Sequence, residues 1–75
     1  MGRYVGEFKL SKPDKLLYFY EDGPYKDVLE FLKTVTKTEP KYIRSSRAWA
    51  VPLQKLTKKD LQKELDEKGW EGIIK

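Results

Sequence analysis

The chain has 75 residues, with 16 Lys and Arg against 12 Asp and Glu for a formal charge of +4, and contains neither His nor Cys. Without those two residue types the usual general base, the activated thiol and the common zinc ligands are missing, so any catalysis would fall to carboxylates, Lys or Tyr. Glu7, Asp14, Asp27 and Glu39 stand mostly beside Lys or at helix ends, as solvated surface charges do, so the composition favours a binding module with no catalytic residue, metal or cofactor.

At this size folding buries only about 60% of the unfolded chain's surface, which gives one small domain over residues 1 to 75 with a thin core. No disulfide can brace it, so the 10 aromatic side chains, each able to bury roughly 150–250 Å², must supply much of the packing. No apolar run approaches the roughly 20 residues of a membrane span and the first residues carry no signal-peptide core, which points to a cytoplasmic protein without a membrane partner. The lack of Asn beside abundant Lys and Glu is a composition found in proteins from hot environments.

Residues 3 to 10 alternate, with Tyr4, Gly6, Phe8 and Leu10 on one side and Arg3, Val5, Glu7 and Lys9 on the other, the period of a half-buried strand. Ser11 to Lys15 form a turn in which Pro13 presets φ and Asp14 can bond its own backbone. Leu16 to Tyr20 follow as a second strand, rich in β-formers and apolar on both faces. Asp22-Gly23-Pro24 then opens a helix, with Asp22 or Gly23 as the cap and Pro24 in the first turn. Its stripe of Tyr25, Val28, Leu29, Leu32 and Val35, widened by Phe31, faces a core, and Pro40 bars its continuation.

Residues 41 to 53 read as two short strands around Arg44-Ser45-Ser46-Arg47. That register puts Tyr42 opposite Trp49 and Arg44 opposite Arg47 on one face, with Ile43, Ala48 and Ala50 on the other. Pro52 cannot donate to a ladder, so the second strand is an edge or ends there. The last helix runs from about 58 to 68. Leu56, Thr57, Asp60 and Leu61 give it a staple and a capping box, and Lys68-Gly69-Trp70 give it a stop in which Trp70 closes on Leu65. The expected fold is therefore α+β in the order ββαββα, a mostly antiparallel sheet with both helices on one face.

The charge is unevenly spread. Residues 1 to 39 hold seven basic and seven acidic side chains; residues 40 to 59 hold Lys41, Arg44, Arg47, Lys55, Lys58 and Lys59 with no acid; residues 60 to 75 hold three basic and five acidic. Lys58 and Lys59 also sit in a first helical turn, where cations oppose the dipole, so an anionic partner accounts for them better than folding does. Basic residues interleaved with Tyr42 and Trp49 are what single-strand binders use, charge tracking phosphates and rings stacking on bases. Both rings can equally be core. The candidate nucleic-acid site is thus Lys41, Tyr42, Arg44, Arg47, Trp49, Lys55, Lys58 and Lys59.

The segment from Lys41 to Leu53, led by a strand and an amphipathic helix, resembles the tyrosine-aspartate hairpin of the HepA-related-protein domain in annealing helicases, also found at the front of archaeal repair helicases. Tyr42, Arg47, Trp49 and Pro52 match that pattern, and Ile43 stands where the family has Asp. The resemblance spans about residues 16 to 70 and implies a helicase-associated module that engages single-stranded or branched DNA. With Arg and Lys plentiful and Asn absent, contact would be with backbone more than base edges, hence sequence-tolerant, with DNA ahead of RNA. The rival expectation is a protein-interaction module, such as a small viral or regulatory protein. It would bind a partner, or dimerise, through an exposed aromatic sheet face or the strand edge at Pro52.

Overall fold

The computed structural model describes residues 2–75. The alternating segment forms β1 (Arg3–Ser11), and the aromatic run forms β2 (Leu16–Glu21), antiparallel to it with Phe8 opposite Phe19 and Leu10 opposite Leu17. Helix α1 (Lys26–Thr36) leads to β3 (Lys41–Ile43) and β4 (Ala48–Pro52), a hairpin in which Tyr42 faces Trp49 as the alternation requires. Strand β4 ends at Pro52, where an amide is no longer available to the ladder. Helix α2 (Lys58–Lys68) is followed by a further strand, β5 (Trp70–Ile74).

The fold is α+β, and its first six elements follow the expected order. The sheet, however, is mixed rather than mostly antiparallel. Its order is β3-β4-β2-β1-β5, and β5 lies parallel to β1. Trp70 therefore belongs to a strand as well as to the stop of α2, with its ring 5.8 Å from the Lys68 ammonium and packed against the core cluster that includes Leu65. Gly69 takes the left-handed stop (φ 73°) and donates its N–H to the carbonyls of Leu65 and Asp66, after which Trp70 enters the sheet and sets its ring edge-on to Phe31 at 5.6 Å.

The strict alternation expected for β1 is also interrupted. The β1–β5 register slips between Tyr4 and Gly6, so Val5 is an extra residue turned into the core, while Glu7 and Lys9 keep the outer face. Gly6 makes the bulge possible. Its φ of 138° lies in a region only glycine occupies freely, and a Cβ there would stand 2.3 Å from the Tyr20 carbonyl oxygen.

Both helices cover the same face. Val28, Phe31 and Leu32 from α1 and Leu61 and Leu65 from α2 close on Val5, Phe8, Leu17, Phe19 and Val51. The expected cap of α1 is absent: its N-cap is Tyr25, with no side-chain bond, and Asp22 to Pro24 lie outside the helix. Packing sets this start, with Tyr25 against Trp49 at 5.7 Å. Thr36, the buried polar residue of this core, donates its hydroxyl to the Leu32 carbonyl at 2.8 Å. No helix among the described residues is long and apolar enough to cross a membrane.

Candidate nucleic-acid interface

The β3–β4 turn is a four-residue loop closed by Ser46 N–H to the Ile43 carbonyl and Arg47 N–H to the Arg44 carbonyl, each at 3.2 Å. Arg47 reaches this closure with φ 52°, and both arginines are exposed. They flank the turn beyond the last ladder pair, Ile43 with Ala48, so neither is held by a cross-strand neighbour. Tyr42 is 48% exposed and meets Trp49 edge-on at 5.2 Å.

Trp49 itself is half-buried at the rim of the core. Tyr25 and Tyr42 pack against it, and its Nε1–H donates to Glu21 at 2.7 Å. Of the two roles open to this ring, packing accounts for its neighbours. Tyr42 is the exposed aromatic of the hairpin.

The basic residues that are contiguous in sequence do not form one patch. Arg44 and Arg47 lie before β4 and Lys55, Lys58 and Lys59 after it, so the strand holds the two groups apart by about 17 Å. Lys41 points to the outer face, between them. The second group gains members that the sequence does not mark. Leu53 donates its N–H to the Lys15 carbonyl, tying the β1–β2 turn to the loop before α2, and a groove of about 480 Å³ there is lined by Lys12, Lys15, Lys55, Leu53 and Leu56. Only the β2–β4 register, Leu16 opposite Pro52, brings these lysines together, and no local signal in residues 11 to 15 announces it.

At the start of α2 both capping bonds are made, Asp60 N–H to the Thr57 hydroxyl at 3.2 Å and Thr57 N–H to the Asp60 carboxylate at 3.3 Å. Asp60 thus places one negative charge in the turn that carries Lys58 and Lys59. Acidic partners go elsewhere. Among the described residues the ion pairs are Arg3 with Asp27, Lys33 with Glu39 and Lys75 with Glu7, and none includes a basic residue of the 41 to 59 segment. Arg3 contacts Asp27 at 2.8 and 2.9 Å, and that hydrogen bonding holds the Asp27 carboxyl below its ordinary value and raises Arg3. Glu39 likewise raises Lys33.

The face of the sheet opposite the helices carries the aromatic and apolar Tyr4, Leu16, Tyr18, Tyr20, Ile43 and Ile73, the lysines Lys9 and Lys41, and the carboxylates Glu7 and Glu71, by the alternation of the ladders. Tyr4 and Ile73 are 43% and 47% exposed. The Tyr18 hydroxyl donates to Asp14 at 2.9 Å, and that bond to a carboxylate raises its pKa. Among the described residues no group of three or more carboxylates is placed to hold a metal ion. Comparison with protein-family models, with curated proteins and with solved structures found no match to this chain.

Proposed function

We propose that this chain is a sequence-tolerant nucleic-acid-binding module, not an enzyme, that contacts phosphates through Arg44 and Arg47 at one end of β4 and through Lys55, Lys58 and Lys59 at the other. One observation carries the reading: six basic side chains between Lys41 and Lys59 are without an ion-pair partner among the described residues, in a segment that contains no acid. Unneutralised charge of one sign contributes little to folding and raises the local concentration of a polyanion. Lys12 and Lys15 extend the second group. The resemblance to the annealing-helicase domain makes single-stranded and branched DNA the first ligands to try.

Fluorescence anisotropy of labelled single-stranded and duplex oligonucleotides at several salt concentrations tests the reading. Contact with some three to five phosphates gives a log–log slope of affinity against salt of about −2 to −5. A flat response, or no binding at low salt, overturns it and leaves a protein partner as the alternative, for which the exposed Tyr4 and Ile73 are the first residues to probe.

A further inference from the structure

On the helix-free face the ladder registers set a row straight across four strands. Lys41 on β3 is opposite Ala50 on β4, Ala50 is opposite Tyr18 on β2, and Tyr18 is opposite Lys9 on β1. With strands about 4.8 Å apart, one lysine stands roughly 5 Å from Tyr18 along the row and the other roughly 10 Å away on the opposite side. Ala50 presents only a methyl group between Tyr18 and Lys41 and is buried among its larger neighbours, and Tyr18 and Tyr20 are half-buried, so each offers part of its ring to solvent. Tyr20 follows two residues on, on the same strand and face, next to Glu7. That carboxylate is already taken by Lys75 at 3.3 Å, whereas Lys9 and Lys41 have no ion-pair partner among the described residues.

From this placement we infer that the helix-free sheet face is a stacking platform for single-stranded nucleic acid, with Tyr18 and Tyr20 carrying bases and Lys9 and Lys41 holding phosphates on either side. The inference rests on the nucleic-acid reading above and narrows it to single strands. A duplex keeps its base faces inside the helix, while an unpaired strand presents them to aromatic rings, and every base has a face to stack whatever its sequence. An apolar protein surface is the poorer match, because docking on Tyr18 would desolvate the two lysines of its row without supplying an anion to pair them. The bond from Tyr18 to Asp14 fixes the ring at the turn end of β2, beside the groove that Lys12 and Lys15 line. The platform therefore lies between the two basic groups rather than apart from them.

The test uses the intact chain with labelled oligothymidylate of about 12 nucleotides, inside the range of single-strand site sizes, and with a duplex of equal length. Tyr18→Leu and Tyr20→Leu keep an apolar residue on the strand and are expected each to weaken single-strand binding by about tenfold, with duplex binding unchanged and Tyr18→Phe close to the parent. Lys9→Gln with Lys41→Gln, a purely surface change, is expected to lower the salt slope by about one to two units, and it keeps the test open should a tyrosine variant fail to fold. If these variants all bind single strands like the parent while Arg44→Ala with Arg47→Ala loses affinity, the platform is overturned and the phosphate-binding reading stands. If neither set changes anything, the platform and the arginine contacts both fall, and binding is left to the lysines at the start of α2. A parent that sediments as a dimer and becomes monomeric on Tyr18→Leu would also overturn the platform, since a second copy then covers the face.

Discussion

Trp49 shows how one residue's neighbours decide between two roles that its type allows. A Trp in a basic hairpin suits a base-stacking surface, but here Tyr25 and Tyr42 flank the ring and Glu21 accepts its N–H at 2.7 Å. Stacking a base on it would require Tyr42 or Tyr25 to move aside. The ring is half-buried, so truncation removes less packing than for a fully enclosed Trp. Trp49→Ala should cost about 2–4 kcal/mol in urea denaturation, towards the lower end of large-to-small core substitutions. Affinity for single strands, corrected for the folded fraction, should change little. A variant as stable as the parent that no longer binds would reverse the assignment and make Trp49 a stacking residue. Tyr42 differs in kind, being 48% exposed with one aromatic contact.

At the scale of elements, what local rules govern could be read directly and what depends on distant pairing could not. Helix α2 begins and ends where its sequence says, because Thr57, Asp60 and Gly69 act within a few residues of themselves; the Thr57 cap contributes about 0.5–2 kcal/mol. The β3–β4 hairpin is legible for the same reason. Strand β5 is different. Trp70-Glu71-Gly72-Ile73-Ile74 is short and contains a glycine, and its partner β1 lies at the other end of the chain, so no spacing within the segment marks it as a parallel strand. The bulge at Val5 escapes for a related reason, since only pairing with β5 defines it.

Gly6 tests that pairing. Its φ of 138° disfavours any side chain, and a Cβ would meet the Tyr20 carbonyl oxygen, a backbone atom that cannot rotate away. Gly6→Ala should therefore cost at least about 2–3 kcal/mol, from backbone strain together with displacement of β2 from β1. Thermal melting checks the magnitude. An unchanged melting curve would mean that the bulge is absent and that β5 pairs in a different register. The candidate site divides along the same lines. Every basic residue of the 41 to 59 segment is visible as sequence, whereas its separation into two ends, and the recruitment of Lys12 and Lys15 to one of them, comes from the β2–β4 register.

The described residues extend 33 × 24 × 21 Å, and the basic residues of the 41 to 59 segment other than Lys41 fall at the two ends of β4 with the helix-free sheet face between them. That layout predicts more than affinity for polyanions. A strand long enough to reach both ends gains phosphate contacts at each, whereas a shorter one reaches only one end, so affinity should climb with oligonucleotide length and then level off. Arg44→Ala with Arg47→Ala isolates one end. The two side chains flank an exposed turn and carry like charges, so their removal should leave the melting curve near that of the parent. The salt slope should drop by about one to two units. The variant should also level off at a shorter length than the parent, because extra nucleotides no longer find the turn. Distant sites contribute nearly independently, so combining it with Lys55→Gln and Lys58→Gln should add the two losses in free energy. Unfolding of the double arginine variant would make those residues structural. An unaltered length dependence would mean instead that the two ends never hold the same strand, and that the turn and the start of α2 serve different partners.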